Sequence, residues 1–326
     1  MLTRRTFVMT ASASFLAVPA WAETYPTQTV RIIAGFPPGG GIDISARLMA
    51  DPLKDALGQT VIVENRTGAA GMLAANTVAK APPDGHMLLM ATSGEIAIAQ
   101  HLYKEKMLYD PQRELAPIAL IGVVPCVVVV ADTSPVHNPK ELIAYAKANP
   151  GKLSFSSSGV GNPQQLAGEL MNMMAGTNVL HVPYRGAAPA VTDVATGAVT
   201  MSFTSLAAAL PLINSGKLRA VAVTSKERMP QLPEVAPLSE GAPGLAGYEL
   251  LNWFGMFTTG GTPQGIVDRL NGIINAALKN PAISEKLIPQ GIVPRPMNAA
   301  EYKKFVQAET EKFGKIVERA NIKLSN

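Results

Sequence analysis

Cysteine is almost missing from this chain: Cys126 is the only one in 326 residues. No internal disulfide can form, and a cysteine-based metal site has nothing to build on. Cys126 lies in the apolar run 123–130, which fits a buried, inert thiol. Histidine is scarce too, and His86, His101, His137 and His181 have no metal-ligand spacing. Charged residues make up only 16% of the chain, and no run interleaves basic with aromatic residues. A nucleic-acid partner is therefore not expected. No Gly-x-Ser-x-Gly nucleophile elbow occurs. These absences argue against a cofactor and against a catalytic centre.

A large globular core is what remains possible. The chain is 47% hydrophobic and long enough for two domains. Its 28 glycines and 26 prolines suit an α/β protein with many short connections. The N-terminus reads as a removable export signal over residues 1–22. Arg4 and Arg5 are followed by an apolar stretch through Leu16 and Val18, then Ala20-Trp21-Ala22. The stretch is too short for a permanent membrane span. The paired arginines with Phe7 fit a twin-arginine signal or an ordinary secretory one, with cleavage after Ala22 and a periplasmic destination. Losing Arg4 and Arg5 lowers the net charge from +4 to +2.

One segment stands out: Gly35-Phe36-Pro37-Pro38-Gly39-Gly40-Gly41-Ile42-Asp43. It follows the β-prone run 30–34 and precedes a helical pattern over 44–57. Three adjacent glycines let a ligand approach the backbone closely. The loop feeds a helix N-terminus, where free N–H groups and the helix dipole favour an anion. It is not a nucleotide loop. The dinucleotide pattern fails because Ile44 stands where a third glycine is needed, and the phosphate loop fails for want of lysine. A plain tight turn is the other reading of the same residues. Asp43 is a candidate ligand contact or base, or simply a carboxylate stabilised in the first helical turn.

Strand and helix patterns alternate along the whole chain, which predicts parallel sheets in α/β domains. The run 123–131 is long enough to leave one sheet and enter another, and the stretch 247–259 to return. This divides the chain into a first domain from 23–123 and 248–326 and a second from 124–247.

The second domain repeats the loop logic. A short strand near 153–156 ends in Ser156, Ser157, Ser158, Gly159 and Gly161. Asn162 is placed to cap a helix that opens at Pro163. Gln165 lies in its first turn. Thr92 and Ser93 follow another strand of the first domain. Tyr184 and Arg185 follow the strand near 179–181, where Arg185 is able to pair a carboxylate. Ligands of open α/β sheets bind at this carboxyl edge of the strands. An anion held between two such loops needs few charged side chains. A hydrolase using Ser158 is the enzymatic alternative, but nothing in sequence assigns it a base.

In this order the landmarks resemble the Bug-type, TctC-like solute receptors of tripartite tricarboxylate transport systems. They include the Gly35–Arg47 loop and helix, Val63-Glu64-Asn65-Arg66-Thr67-Gly68-Ala69-Ala70-Gly71 and Pro82-Pro83-Asp84-Gly85. His181-Val182-Pro183-Tyr184-Arg185-Gly186-Ala187-Ala188 and Gly260-Gly261-Thr262-Pro263 follow later. The resemblance implies a type II-like periplasmic binding protein: two α/β domains, two crossover strands and a ligand cleft. It implies a small di-, tri- or aromatic carboxylate as ligand, and membrane components of the transporter as partners of a monomeric receptor. Presentation of the ligand to a sensor kinase is the other role it admits. Phe36, Pro38, Gly39, Gly40, Gly41 and Asp43 would hold the ligand from one side, and the loop from Ser156 to Gln165 from the other. Gln165 replaces a histidine common in the family. Thr204 and Ser205 replace an acidic-amide pair, which disfavours a ligand ammonium. Thr204 is kept as a candidate contact.

Overall fold

The computed structural model describes residues 25–323, with the backbone alone for Glu105. The expected export signal at 1–22 lies outside the described residues. The near domain starts with β1 (Val30–Ala34), α1 (Gly41–Leu57), β2 (Val61–Asn65), α2 (Met72–Ala79) and β3 (Met87–Thr92). β1 lies between β2 and β3, parallel to both. Such a strand is covered on both faces, and β1 is apolar except for Arg31, which stays partly exposed and pairs with Glu64 on β2. α1 buries Ile42, Ala46, Met49, Leu53 and Leu57, one face at helical spacing. Each large side chain so buried contributes about 1.5–3 kcal/mol. The helix ends on Gly58, whose φ of 66° is left-handed and free of strain for glycine.

After β3 the chain turns at once into helix. A wide helical turn at Gly94–Ile98 runs into α3 (Ala99–Leu102). β4 (Leu115–Ala131) comes next and is a single strand of 17 residues. The sequence divides it in two, because Pro117, Gly122 and Pro125 interrupt it. The strand survives by shifting register between Pro117 and Ala119 and between Leu120 and Gly122. Bulges of this kind accommodate a residue that cannot donate to the ladder.

β4 belongs to both sheets. Leu115 to Pro125 pair with β9 (Leu251–Thr259), and Cys126 to Ala131 pair with β7 (Met201–Ser205) and β8 (Leu218–Val223). β9 in turn pairs with β3. The chain therefore crosses to the far domain on β4 and returns on β9. Between the crossings lie α4 (Pro139–Ala148), β5 (Ser154–Ser157), α5 (Pro163–Ala175), β6 (Leu180–Pro183), α6 (Ala187–Ala195) and α7 (Leu206–Asn214). β5 is parallel to β6 and β7. After β9 come α8 (Gln264–Lys279), α9 (Pro281–Leu287), the short β10 (Val293–Pro294) on β4, and α10 (Ala299–Arg319).

α10 ties the two domains together behind the crossing strands. Asn298 and Glu301 close its N-terminus as a reciprocal capping box. Tyr302 and Phe313 share a core with Phe155, Leu166 and Met171 of the far domain. Trp253 on β9 sits in this junction, edge-on to Tyr302 and Phe305.

Candidate functional site

A cavity of 220 Å³ lies between the domains, at the carboxyl ends of β1, β3 and β5. Its near wall is mostly apolar, formed by Phe36, Met72, Ala99, Leu102 and Tyr103. Its far wall is polar, formed by Ser158, Gly161, Asn162 and Gln164. The crossing strands supply Val124, Pro125, Cys126 and Asn252. Among the described residues no charged side chain lines it. A ligand here is held by neutral dipoles and apolar contact.

The far wall follows from the sequence of α5. Asn162 has extended backbone and its side-chain oxygen accepts from the Gln165 N–H, closing the helix. The Gln165 side chain accepts from the Gly161 N–H at 2.7 Å. Gly161 has a φ of 74°, which suits glycine. The Ser158 N–H donates to the Gln164 side-chain oxygen, while Asn162 Nδ2 donates to Ser158 Oγ at 2.8 Å. Backbone, hydroxyl and amide donors of Ser158 and Asn162 thus converge on the Gln164 side-chain oxygen at one end of the cavity.

The near loop contributes less directly. Phe36 lines the cavity, whereas Pro38, Gly39 and Gly40 are exposed and do not line it. Gly41 is there for space: a Cβ on it would lie 2.8 Å from Phe254 Cε2. Asp43 is 3% exposed and turned into the loop. It accepts from the Gly39 N–H at 2.9 Å and from Asn65 Nδ2 at 2.9 Å, and pairs with Arg47 at 3.0 Å. Burial alone would raise its pKa, but these bonds outweigh it and hold the carboxyl at about 2. Asp43 therefore fastens the glycine loop to β2 and α1.

The other expected residues separate by depth. Thr92 lines the cavity, and Ser93 is buried behind it. Ser93 Oγ donates to Asn252 Oδ1, which also accepts from the Trp253 N–H. That fixes the Asn252 amide with its NH₂ side free of these bonds. Ser156 is buried and donates to the Ala190 carbonyl. Ser157 is buried, 2.7 Å from His181 Nε2, and donates to the Gly159 carbonyl. Burial lowers the His181 pKa to about 4, so the ring is neutral at neutral pH. Gly159 packs near the Tyr184 carbonyl. Tyr184 bonds Asp193, and Arg185 is exposed; neither lines the cavity. Thr204 is paired with Val127 inside the sheet, and its neighbour Ser205 lines the cavity instead.

Sequence reasoning did not single out Asn252, Gln164 or the apolar wall around Leu102. A polar residue between Leu251 and Trp253 in an apolar strand was the available signal for Asn252. Among the described residues no cluster of His, Cys, Asp and Glu is arranged to hold a metal ion. Burial pushes the Cys126 thiol up to about 12, which keeps it protonated at the cavity floor.

Known proteins share this arrangement. A protein of the tcbD–tcbE intergenic region of Pseudomonas sp. strain P51 is 37% identical over 90% of this chain and 87% of its own length. BugT of Bordetella pertussis is 33% identical over 98% of this chain and 96% of its own length. Rpa4515 of R. palustris, solved with adipate, superposes with a TM-score of 0.78 at 34% identity, covering 92% of this chain and 99% of its own. MatC of Rhodopseudomonas palustris, solved with malate, does so with 0.73 at 30% identity, covering 90% of this chain and 100% of its own. The model of the tripartite tricarboxylate transporter family receptor matches residues 45–322. The chain belongs to that receptor family, with the two-domain α/β fold of its solved members.

Proposed function

We propose that this protein is a periplasmic receptor that captures a small carboxylate between its domains and delivers it to the membrane components of a tripartite tricarboxylate-type transporter. The observation that carries this reading is the uncharged cavity, where the Ser158 and Asn162 donors meet on one neutral oxygen, that of the Gln164 side chain, with an apolar wall opposite. A carboxylate replaces the Gln164 oxygen as acceptor of those donors, and its carbon skeleton covers Phe36, Met72 and Leu102. Neutral donors suit reversible capture, because no buried ion pair has to be broken on release. Lack of an anionic lining residue disfavours a ligand ammonium, in line with Thr204 and Ser205. Rpa4515 with adipate and MatC with malate support the ligand class.

The protein acts as a monomer, without cofactor, nucleic acid or catalysis. Ser158, one of the serines lining the cavity, bonds the Gln164 and Asn162 amides rather than a base. The ligand bridges the domains and stabilises the closed form through contacts unavailable when they are apart. Export of the chain rests on the signal read at 1–22, and no helix among the described residues is long and apolar enough to cross a membrane.

A thermal-shift screen with adipate, malate and benzoate tests the reading. A ligand at a hundred times its dissociation constant adds about 2.7 kcal/mol to the folded state. A rise in Tm with at least one carboxylate, absent with matched neutral amides, is the expected result. No rise with any carboxylate overturns it.

A further inference from the structure

Thr92 is a wall residue of the ligand cavity, and its hydroxyl has only one proton. That proton is committed away from the cavity. Thr92 Oγ1 donates to Glu95 Oε2, the Thr92 N–H donates to Glu95 Oε1 at 2.8 Å, and Thr92 Oγ1 accepts from the Gly94 N–H at 2.9 Å. The hydroxyl can then offer a ligand carboxylate only lone pairs. Glu95 is 1% exposed and belongs to the helical turn just behind the cavity. The fold makes room for it: a Cβ on Gly71 would lie 3.0 Å from its carboxyl carbon.

Among the described residues no cation offsets this buried carboxylate; its bonds come from Thr92 and its own backbone. The groups facing its turn are neutral or engaged elsewhere. From the segment after α3, the Tyr109 hydroxyl donates to the Glu95 carbonyl. From α10, Tyr302 is buried with its pKa raised, first by burial and then by the Glu95 charge. From α3, the His101 ring bonds the Thr310 carbonyl. α2 brings no ionisable side chain. Also on α10, the buried Glu309 pairs with Lys312.

We propose that Glu95 is a positioning residue of the cavity: it sets the direction of the Thr92 hydroxyl proton and takes up one proton when a carboxylate binds. With Glu95 ionised, a ligand carboxylate meets the Thr92 lone pairs and a second buried negative charge. When Glu95 gains a proton from solvent, its own O–H donates to Thr92 Oγ1. The Thr92 proton is then released to face the ligand. Carboxylate, proton and receptor combine one to one to one, and the net charge of the cavity region changes by none. Burial raises the Glu95 pKa to about 7, which puts the exchange within reach of neutral pH.

The proposal rests on the carboxylate-receptor reading, and calorimetric titration with adipate separates the two. Titrations run from about pH 6.5 to about pH 9, where aliphatic carboxylates are already ionised. Affinity is expected to fall toward a limit of about tenfold per pH unit above the Glu95 midpoint. Heats in phosphate and in Tris should differ by the uptake of close to one proton. Glu95→Gln keeps both bonds to Thr92 in the protonated arrangement, so its affinity should be flat across the range and independent of buffer. Adipate that binds the wild type with no pH slope and no proton uptake overturns the role of Glu95 and leaves the receptor reading standing. A slope retained in Glu95→Gln overturns it as well. If adipate, malate and benzoate all fail to bind, the receptor reading falls.

A ligand-free arm tests the Glu95 environment itself. A carboxyl whose pKa is raised in the folded state favours folding below its unfolded value. That advantage is lost as pH rises through the folded value. The Tm of the wild type should therefore drop against that of Glu95→Gln between about pH 4.5 and about pH 7. A difference in Tm that stays constant with pH overturns the proposal.

Discussion

Asn162→Asp is expected to lower carboxylate affinity by at least about a hundredfold while leaving the helix it caps intact. Asn162 does two jobs with two atoms. Its Oδ1 accepts from the Gln165 N–H and closes α5, and its Nδ2 donates toward Ser158 at the polar end of the cavity. Aspartate is an equally good cap, so the change costs less than about 1 kcal/mol of stability. In the cavity, however, a donor becomes an anion, and no lining cation can neutralise it. Losing one hydrogen bond to a charged group costs about 1.5–3 kcal/mol. Repulsion between two carboxylates in a poorly screened site adds to that. Each 1.4 kcal/mol is about tenfold in affinity. Calorimetry beside a thermal melt checks both halves of the prediction. Near-normal affinity in a stably folded Asn162→Asp would remove the far wall from the binding site.

Trp253→Ala has the largest expected effect on stability, a loss of about 3–5 kcal/mol. Trp253 is fully buried on β9, where the chain returns from the far domain. Its ring meets Tyr302 at 6.2 Å, Phe305 at 5.9 Å and Phe257 at 6.3 Å. The packing leaves no slack beside it: a Cβ on Gly255 would lie 1.7 Å from the Tyr302 hydroxyl. Neighbouring side chains therefore cannot collapse into the space a smaller residue leaves. The Trp253 backbone N–H also donates to the side chain of Asn252, which lines the cavity. Urea unfolding monitored by circular dichroism measures the loss. A cost under about 1 kcal/mol would mean that the junction is not the packed unit described.

The alternation of strands and helices was legible because buried parallel strands and amphipathic helices leave different periods in the sequence. β1 and α1 are clear cases. The site was legible as a set of loops, since Gly39-Gly40-Gly41 and Ser157–Asn162 interrupt that pattern. Sequence spacing does not tell which atoms of a loop face inward. Pro38 to Gly40 are exposed outside the cavity lining, while Asp43, a candidate contact by position, is consumed by Gly39, Arg47 and Asn65. Those partners are brought together by β2 and α1, not by sequence neighbourhood. Asn252 depends on Ser93, 159 positions away, for its orientation. Thr204 and Ser205 differ only in which side of β7 they occupy, and a one-residue change in register exchanges the two. The unity of β4 was hidden by Pro117 and Gly122, because the register shifts beside them are set by pairing with β9.

The central claim is that one carboxylate is held by both domains at once. A crystal structure with the carboxylate that gives the largest thermal shift tests it most directly. The ligand is expected inside the cavity. Its carboxylate should lie about 3 Å from Ser158 and Asn162 donors, and its skeleton should lie against Phe36 and Leu102, next to Thr92 and Asn252. A ligand found outside this cavity, or contacting one domain alone, would contradict it.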